Sequence, residues 1–360
     1  MSFLIAGASC DPADSLFATG DSRAQPLPTY SIDDLVSGRD KDPSYDDTDA
    51  TRISLSDGDI CITEAGTYIL EGTLRGYHIK IDAGDEDKIQ LVLDGVDIEC
   101  DNTPAIEVVN ADKVFVTLKE GSYNRLRITG SSDLNATPSA IHSKDDLTFN
   151  GEGTLDITSA GNAVVCTDEV VITGGTYNID CAQSAIQTKE SVVITDADIL
   201  VSSCYDGLHA ESEGDGTLGF IVISGGTIDI SAEDDAVHGS SSVTILGGEL
   251  TLSGAECIES TYVRIEDGVF RFEATGDGIN AGRKSDSYYP TIEISGGDFT
   301  IDVAPGDTDG IDSNGDLIIT GGSFHITAES PFDWDGDLTY TGGTIKVNDQ
   351  TVTAITNQDP

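Results

Sequence analysis

The sequence predicts an all-β solenoid, a parallel β-helix in which short strands wind into stacked coils. Three observations lead to this prediction: a four-residue phrase returns along the chain, its copies are regularly spaced, and glycine pairs separate short alternating strands. A unit repeated at a fixed period of about 20–50 residues is the sequence signature of a solenoid. The apolar residues alternate with period two and show no helical periodicity.

The phrase is an acidic residue, a small residue, a branched apolar residue and a polar residue. Its acidic copies are Asp206-Gly207-Leu208-His209, Asp235-Ala236-Val237-His238, Glu256-Cys257-Ile258-Glu259, Asp277-Gly278-Ile279-Asn280 and Asp309-Gly310-Ile311-Asp312. Earlier copies start with a neutral residue, at Pro104, Ser139, Asn162 and Ser184. Regular steps are 21–23 residues long, so the steps of 29 and 32 residues indicate inserted loops. We expect the branched residues to stack as one interior column: Ile141, Val164, Ile186, Leu208, Val237, Ile258, Ile279 and Ile311.

Glycine pairs mark the turns between strands. An alternating apolar strand enters and leaves Gly247-Gly248, and the same pattern surrounds the pairs that begin at Gly174, Gly225, Gly296, Gly321 and Gly342. Such turns need a positive φ or a close backbone approach, which glycine allows. Three short strands per unit therefore make one coil.

The chain divides into a non-repetitive start and a repetitive remainder. Residues 1–50 are rich in Asp, Pro and Ser and are predicted to form a flexible tether. Residues 51–350 are predicted to form the β-helix, with residues 51–130 as an N-terminal cap and first coils and residues 131–350 as regular coils. Terminal repeats of a solenoid are usually atypical, which favours a cap where the glycine pairs are missing. Residues 351–360 are predicted to be a C-terminal tail.

The first ten residues bear on location. Leu4–Cys10 is small and apolar up to a cysteine, as at a lipoprotein cleavage site, but it lacks a basic region and is short. Two interpretations stay open: the reading frame begins upstream and Cys10 carries lipid, or the stretch is ordinary sequence. Lipid on Cys10 is the one membrane attachment we expect, since no segment is long enough to span a bilayer.

Charge limits the partners. The net charge is −47, with 65 acidic residues against 18 Lys and Arg. Nucleic acid is excluded as a partner because phosphate binding needs clustered cations. An acidic polymer would be repelled unless metal ions intervene. Solubility or a salty habitat is the alternative explanation for the charge.

Seven cysteines are scattered without a CxxC pair, which disfavours a zinc site. If Cys10 is lipidated, an even number remains. Cys181 and Cys204 lie about one coil apart, within disulfide range if they stack. Alternatively, these cysteines fill the core as small apolar residues.

Several stretches together resemble a known bacterial family. These are Ala65-Gly66-Thr67-Tyr68-Ile69-Leu70-Glu71-Gly72-Thr73-Leu74, Val92-Leu93-Asp94-Gly95-Val96-Asp97-Ile98, Asn110-Ala111-Asp112-Lys113-Val114, the repeated phrases and glycine pairs, and Phe332-Asp333-Trp334-Asp335-Gly336. Residues 51–350 resemble secreted carbohydrate-binding proteins that are similar in shape to pectate lyases. The resemblance implies a single-stranded right-handed parallel β-helix, bound calcium, and cellulose or pectic polymers as ligands.

The residues themselves argue for metal. Successive coils lie about 4.8 Å apart, where two carboxylates repel by roughly 3–4 kcal/mol at an effective dielectric near 20. Raised pKa values, side chains splayed into water, or bound cations would relieve a column of such charges. Calcium suits because it takes six to eight oxygen ligands in flexible geometry. The predicted ligands are Asp206, Asp234, Asp235, Glu256, Asp277, Asp307, Asp309 and Asp312. A solvated acidic stripe without metal is the alternative.

Other polar and aromatic residues are weaker candidates. His209 and His238 are interpreted as hydrogen-bonded surface residues, since hard calcium prefers oxygen. Cations and aromatics cluster in one insertion, which is either a sugar-contact loop or a solvated loop. Its candidate residues are Arg283, Lys284, Tyr288 and Tyr289. Trp334 is a further candidate sugar contact and, alternatively, a cap over the last coil.

These observations favour a non-catalytic, extracellular or cell-surface protein that binds cellulose or acidic, uronate-containing polysaccharide with calcium. A calcium-dependent pectate-type lyase is the first alternative. A lyase needs a basic side chain beside the metal, and the phrase coils from Asp206 to Glu256 contain no Lys or Arg. Arg264 and Arg271 are predicted on strands, and Arg283 and Lys284 in a loop. A structural surface protein or adhesin is the second alternative.

Overall fold

A computed structural model describes residue 27 and residues 29–130, 138–306 and 308–357. Within these ranges the chain has one short helix, and all other regular structure is β-strand. The elements are α1 (Ile32–Leu35), β1 (Thr51–Leu55), β2 (Ile60–Ile62), β3 (Gly66–Arg75), β4 (Ile79–Asp82), β5 (Lys88–Cys100), β6 (Ile106–Asn110), β7 (Lys113–Leu118), β8 (Tyr123–Ile128), β9 (Ser139–Ser143), β10 (Asp146–Gly151), β11 (Thr154–Ser159), β12 (Asn162–Cys166), β13 (Glu169–Ile172), β14 (Thr176–Cys181), β15 (Ile186–Thr188), β16 (Ser191–Ile194), β17 (Asp198–Cys204), β18 (Leu208–Ala210), β19 (Phe220–Ile223), β20 (Thr227–Ala232), β21 (Val237–Ile245), β22 (Glu249–Gly254), β23 (Ile258–Ile265), β24 (Val269–Ala274), β25 (Ile279–Ala281), β26 (Thr291–Ile294), β27 (Asp298–Val303), β28 (Asp309–Ser313), β29 (Asp316–Ile319), β30 (Ser323–Thr327), β31 (Ser330–Trp334), β32 (Leu338–Tyr340), β33 (Thr344–Val347) and β34 (Gln350–Val352).

The strands pair from one coil to the next. In the regular part each strand pairs in parallel with the strand three positions later, as β12 does with β15 and β15 with β18. Over the part of the chain that the structure describes, the sheet has 34 strands, and β33 with β34 forms an antiparallel pair at its end. The prediction of an all-β, mostly parallel repeat is confirmed, and the pairing is consistent with a β-helix or solenoid-like fold.

The predicted interior column exists. Ile141 pairs with Val164, and each later member pairs with the next as far as Ile311. All eight side chains are buried. The column is regular because parallel strands in register place equivalent residues directly above one another, so a period in the sequence becomes a stack in space.

Two kinds of glycine position allow the coils to close. The second glycine of a pair takes a left-handed conformation, as at Gly248 with φ 113°, which residues with a Cβ rarely adopt. In the phrase, a Cβ on Gly207 would lie 2.2 Å from the carbonyl oxygen of Ala236 in the next coil. Gly248 is therefore required for its backbone conformation, whereas Gly207 leaves room for the neighbouring backbone.

Residues 29–50, which we call the strap, lie against the outside of the coils. The ring of Tyr30 stacks on Phe220 with centroids 4.9 Å apart. Val36 packs with Val171, Val193 and Val222 in a second apolar cluster. Val171, Val193 and Val222 point outward from β13, β16 and β19, so the strap covers an apolar stripe that would otherwise face water.

The strap is anchored by a buried carboxylate. Asp40 is 3% exposed. Its Oδ1 accepts a hydrogen bond from Thr148 Oγ1 at 2.6 Å and lies 3.0 Å from Lys113 Nζ. Lys113 also lies 3.2 Å from Glu169. The expectation of a flexible tether is therefore wrong for residues 29–50, because their polar groups find partners on β7 and β10.

The described cysteines are unpaired. Cys61 is exposed, whereas Cys181 and Cys204 are among the five buried ones. Cys181 Sγ donates to the Gln183 carbonyl oxygen at 3.3 Å and Cys204 Sγ to that of Ser231 at 3.5 Å. The disulfide suggested by their spacing is not formed, and both fill the core. Cys10 lies outside the described residues, and its lipid attachment stays a prediction. Among the described residues no helix is long and apolar enough to cross a membrane.

The pairing pattern gives the coils three outer faces. The phrase face carries β12, β15, β18 and their partners; the strap face carries β10, β13, β16 and β19; the open face carries β8, β11, β14, β17, β20, β22, β24, β27, β30 and β33. On the open face the strands alternate between buried and exposed residues, as in Asp298–Val303.

Candidate functional site

The acidic phrase residues occupy one line on successive coils. The carbonyl oxygen of Asp235 accepts the Gly207 amide at 2.9 Å, and that of Glu256 accepts the Ala236 amide at 3.0 Å. We call the described members of this line the acidic column: Asp206, Asp235, Glu256, Asp277 and Asp309. Asp307 lies outside the described residues.

Three carboxylates meet in the first cluster. Asp234, Asp235 and Glu256 each offer an oxygen, and these oxygens all lie within 4.8 Å of one another. Asp235 is only 6% exposed, and its buried Oδ1 has no hydrogen-bond partner among the described residues. Burial, then the charges of Asp235, Glu259 and Asp277, raise the pKa of Glu256 to about 7. The cluster therefore holds more negative charge than its own surroundings neutralise.

A neighbouring part of the site is neutralised by the protein itself. His238 Nδ1 lies 2.8 Å from Asp235 Oδ2 and 3.0 Å from Glu259 Oε2. Lys284 Nζ lies 2.7 Å from Glu259 Oε1. Burial alone would lower the pKa of His238, but Asp235 and Glu259 outweigh it and raise that pKa to about 9. Two cations thus balance two carboxylates here, and His238 is charged at neutral pH.

The histidines are placed differently from our expectation. His238 is buried, with 7% exposed, and its ring stacks on His209 with centroids 4.6 Å apart. His209 Nε2 makes a hydrogen bond with Glu211 Oε2 at 3.3 Å, and His209 Nδ1 lies 3.2 Å from Asp206 Oδ2. The prediction of hydrogen-bonded residues is confirmed, but the surface location is wrong for His238, because Glu259 on the next coil covers it.

A second cluster surrounds Asp312. Burial, then the charges of Asp277, Asp309, Asp333 and Asp335, raise the pKa of Asp312 to about 7. Asp277 Oδ1 accepts the Asp309 amide at 2.7 Å. The charged groups that surround Asp312 are carboxylates, and its hydrogen-bond donor is the neutral amide of Asn314, whose Nδ2 donates to Asp312 Oδ2 at 3.2 Å. This is the arrangement expected where an external cation completes the charge balance.

The side-chain oxygen of Asn280 is a further candidate ligand atom for a cation at the two clusters. Asn280 lies between Glu259 and Asp312 in register, and its buried Oδ1 has no hydrogen-bond partner among the described residues. An unpaired buried oxygen costs about 1–3 kcal/mol. Together with the unpaired oxygen of Asp235, it gives the two clusters acceptor atoms that fit a hard cation.

A family model for carbohydrate-binding domain-containing proteins matches residues 56–261 and again residues 258–359. The chain belongs to this carbohydrate-binding domain family. A carbohydrate-binding domain-containing protein of Acetivibrio thermocellus is 31% identical over 207 residues, which cover 56% of this chain and 72% of the relative. A solved structure of a polysaccharide lyase-like protein from C. thermocellum, a gadolinium derivative, aligns with TM-score 0.52 and 27% identity. That alignment covers 62% of this chain and 96% of the other.

The insertion before β26 places its two tyrosines differently in this member of the carbohydrate-binding domain family. Tyr288 is 4% exposed, so its ring cannot stack on a sugar. Arg283 is exposed beside Asp286, at 3.6 Å. Tyr289 is half-buried. Trp334 is half-buried against the core, which agrees with its interpretation as a cap.

The sequence analysis did not predict two contacts in this site. Lys284 belongs to an insertion with no repeat, so its return to Glu259 could not be inferred from the period. Tyr205 is 44% exposed, and a hydrogen bond to Asp234 raises its pKa. Its position directly before Asp206 was the available signal for an aromatic side chain next to the first cluster.

Proposed function

We propose that this carbohydrate-binding protein holds polysaccharide without cleaving it, and that calcium takes part. The observation that carries the proposal is the pair of carboxylate clusters around Glu256 and Asp312, where burial and neighbouring carboxylates raise the pKa of both side chains to about 7. Acidic, uronate-containing glycans are the favoured ligands and cellulose is the further candidate. We also propose right-handed coils, the hand favoured for crossovers between parallel strands.

The residues present fit calcium. Asp234, Asp235 and Glu256 would hold one ion, and Asp277, Asp309 and Asp312 a second. Bound calcium would supply a hard cation that attracts carboxylate oxygens of both protein and glycan. The structural neighbour described as a gadolinium derivative supports the proposal, because a lanthanide is also a hard, oxygen-seeking cation. Tyr205 would offer an aromatic face beside the first cluster.

The protonation states favour binding over lyase chemistry. The phrase coils contain no Lys or Arg from Asp206 to Glu256, but the insertion brings Lys284 beside the acidic column. However, Glu259 outweighs the effect of burial and raises the pKa of Lys284, so this amine stays protonated. His238, with its pKa raised to about 9, is also protonated at neutral pH. A proton-abstracting base must be neutral, so neither side chain is set up for that role.

We further propose an extracellular or cell-surface location, where plant cell-wall or other acidic polysaccharide is available. Lipid on Cys10 would provide attachment to a membrane. A surface protein that uses its coils only as a spacer is the remaining alternative, and it predicts no glycan binding.

Retention on immobilised polygalacturonate tests the proposal. With millimolar calcium we expect retention that a chelator abolishes, without ultraviolet absorbance from unsaturated ends. Asp277→Asn with Asp309→Asn should weaken retention, whereas Asp229→Asn with Asp302→Asn, which removes two exposed charges from the open face, should not. Steady formation of unsaturated product would assign a lyase, and no retention at any calcium concentration would favour the spacer.

A further inference from the structure

A groove on the C-terminal coils lies on the open face, away from the phrase face. Its floor is one line of outward side chains in register: Arg271 on β24, Thr300 on β27, His325 on β30 and Lys346 on β33. All four are exposed. The groove has a volume of about 640 Å³, within the range of about 300–1,000 Å³ typical of ligand clefts.

Two cations in this groove differ from most of the others in the chain. The majority of Lys and Arg side chains that the structure describes lie within 4.0 Å of a carboxylate. Neither Arg271 nor Lys346 has such a partner among residues 29–130, 138–306 and 308–357. Asp298 also lines the groove, but in a protein of net charge −47 two cations without a carboxylate partner in one groove attract anions to it.

The spacing of the cations suits an extended ligand. Arg271 and Lys346 are three coils apart, which places their Cα atoms roughly 14 Å apart along the stack at about 4.8 Å per coil. Between them lie Thr300 and His325, and His325 Nε2 lies 3.1 Å from Asp349 Oδ1. Hydroxyl and imidazole groups there can exchange hydrogen bonds with sugar hydroxyls.

We propose that this groove binds uronate-containing oligosaccharide directly, without metal. Arg271 would hold one carboxylate through its planar guanidinium, which matches a carboxylate with two parallel hydrogen bonds. Lys346 would attract a second carboxylate further along the chain of sugars. The inference deepens the proposed function and rests on it for the ligand class, but it places a second binding mode on a different face.

Titration calorimetry of the full chain in chelator tests this groove separately from the calcium sites. Oligogalacturonate should bind at low salt and weaken as salt is added, because exposed charges are screened. Arg271→Gln with Lys346→Gln should lower the affinity at least tenfold. The matched control is Lys144→Gln with Lys189→Gln, two exposed lysines that follow β9 and β15 on other coils, and it should leave affinity unchanged.

Several results would overturn the groove assignment. These are an absence of chelator-resistant binding, an equal loss in the control variant, or equal binding of an uncharged cello-oligosaccharide. A sulfated oligosaccharide separates the anion classes, and binding of that ligand alone would reject uronates. If calcium-dependent retention fails while chelator-resistant binding persists, the calcium sites are wrong and the groove stands; the reverse result rejects only the groove.

Discussion

The anchoring of the strap by Asp40 leads to a quantitative prediction. Asp40→Asn keeps the shape of the side chain but removes the charge that lies 3.0 Å from Lys113 Nζ. Removing one partner of a buried ion pair costs about 3–5 kcal/mol. Lys113 keeps Glu169 at 3.2 Å, so we expect the lower end, about 3 kcal/mol. Because about 1.4 kcal/mol is tenfold in an equilibrium, the strap should open roughly 100-fold more often.

Amide hydrogen exchange measured by mass spectrometry reports this opening directly. Peptides from residues 29–50 should exchange roughly 100-fold faster in Asp40→Asn, while peptides from the interior column should keep their protection. The control is Asp42→Asn, an exposed carboxylate two residues away that accepts the Ser44 amide at 3.0 Å. A change below threefold in Asp40→Asn, or the same change in Asp42→Asn, would refute the anchoring role.

Three other predictions concern the core, the surface charge and the metal. Ile258→Ala, which truncates a fully buried side chain between Val237 and Ile279, should lower the free energy of unfolding by about 2–5 kcal/mol, against about 0.5–1.5 for Ile258→Val; a denaturant titration showing equal losses would contradict the packed column. Burial, then Glu190, Asp146 and Asp145, raise the pKa of Asp168 to about 6, so its ionisation destabilises the fold increasingly from about pH 4 to 6 and fully above that. Asp168→Asn should therefore stabilise at pH 8 by about 1 kcal/mol, a figure reduced for solvent screening, and should change nothing at pH 4; melting curves at both values check the sign. Millimolar calcium should raise the melting temperature, because a ligand that binds the folded state alone adds about 2.7 kcal/mol to the free energy of unfolding at 100 times its dissociation constant. An unchanged response to calcium in Asp277→Asn with Asp309→Asn would reject those ligands.

The parts of the molecule that repeat could be predicted from the sequence. The stack from Ile141 to Ile311 follows from spacing alone, because each coil contacts mainly its neighbours and a residue's place in the period determines its layer. The same logic placed the acidic column on one line. The choice of Asp235 and Glu256 as neighbouring ligand candidates therefore came from the period and not from any motif.

The parts that do not repeat could not be predicted in this way. The strap has a polar composition, so nothing local indicates that Asp40 reaches Lys113 or that Val36 meets Val171. Lys284 likewise reaches Glu259 from an insertion whose path the period does not determine. The groove at Arg271 was missed for another reason: an exposed cation on a strand becomes informative only once its lack of a carboxylate partner is known.

The strap also has a consequence for the order in which the chain acquires its structure during synthesis. Tyr30 and Ser242, whose hydroxyls lie 3.3 Å apart, are 212 residues apart in sequence. At about 5–20 residues per second, the ribosome adds the partner roughly 10–40 s after the strap. Coils can assemble one upon another during that interval, but the apolar stripe of Val171, Val193 and Val222 stays uncovered until the strap docks. The nascent chain therefore passes through a stage that is richer in exposed apolar surface than the finished protein, and chaperones have the most to protect at that stage.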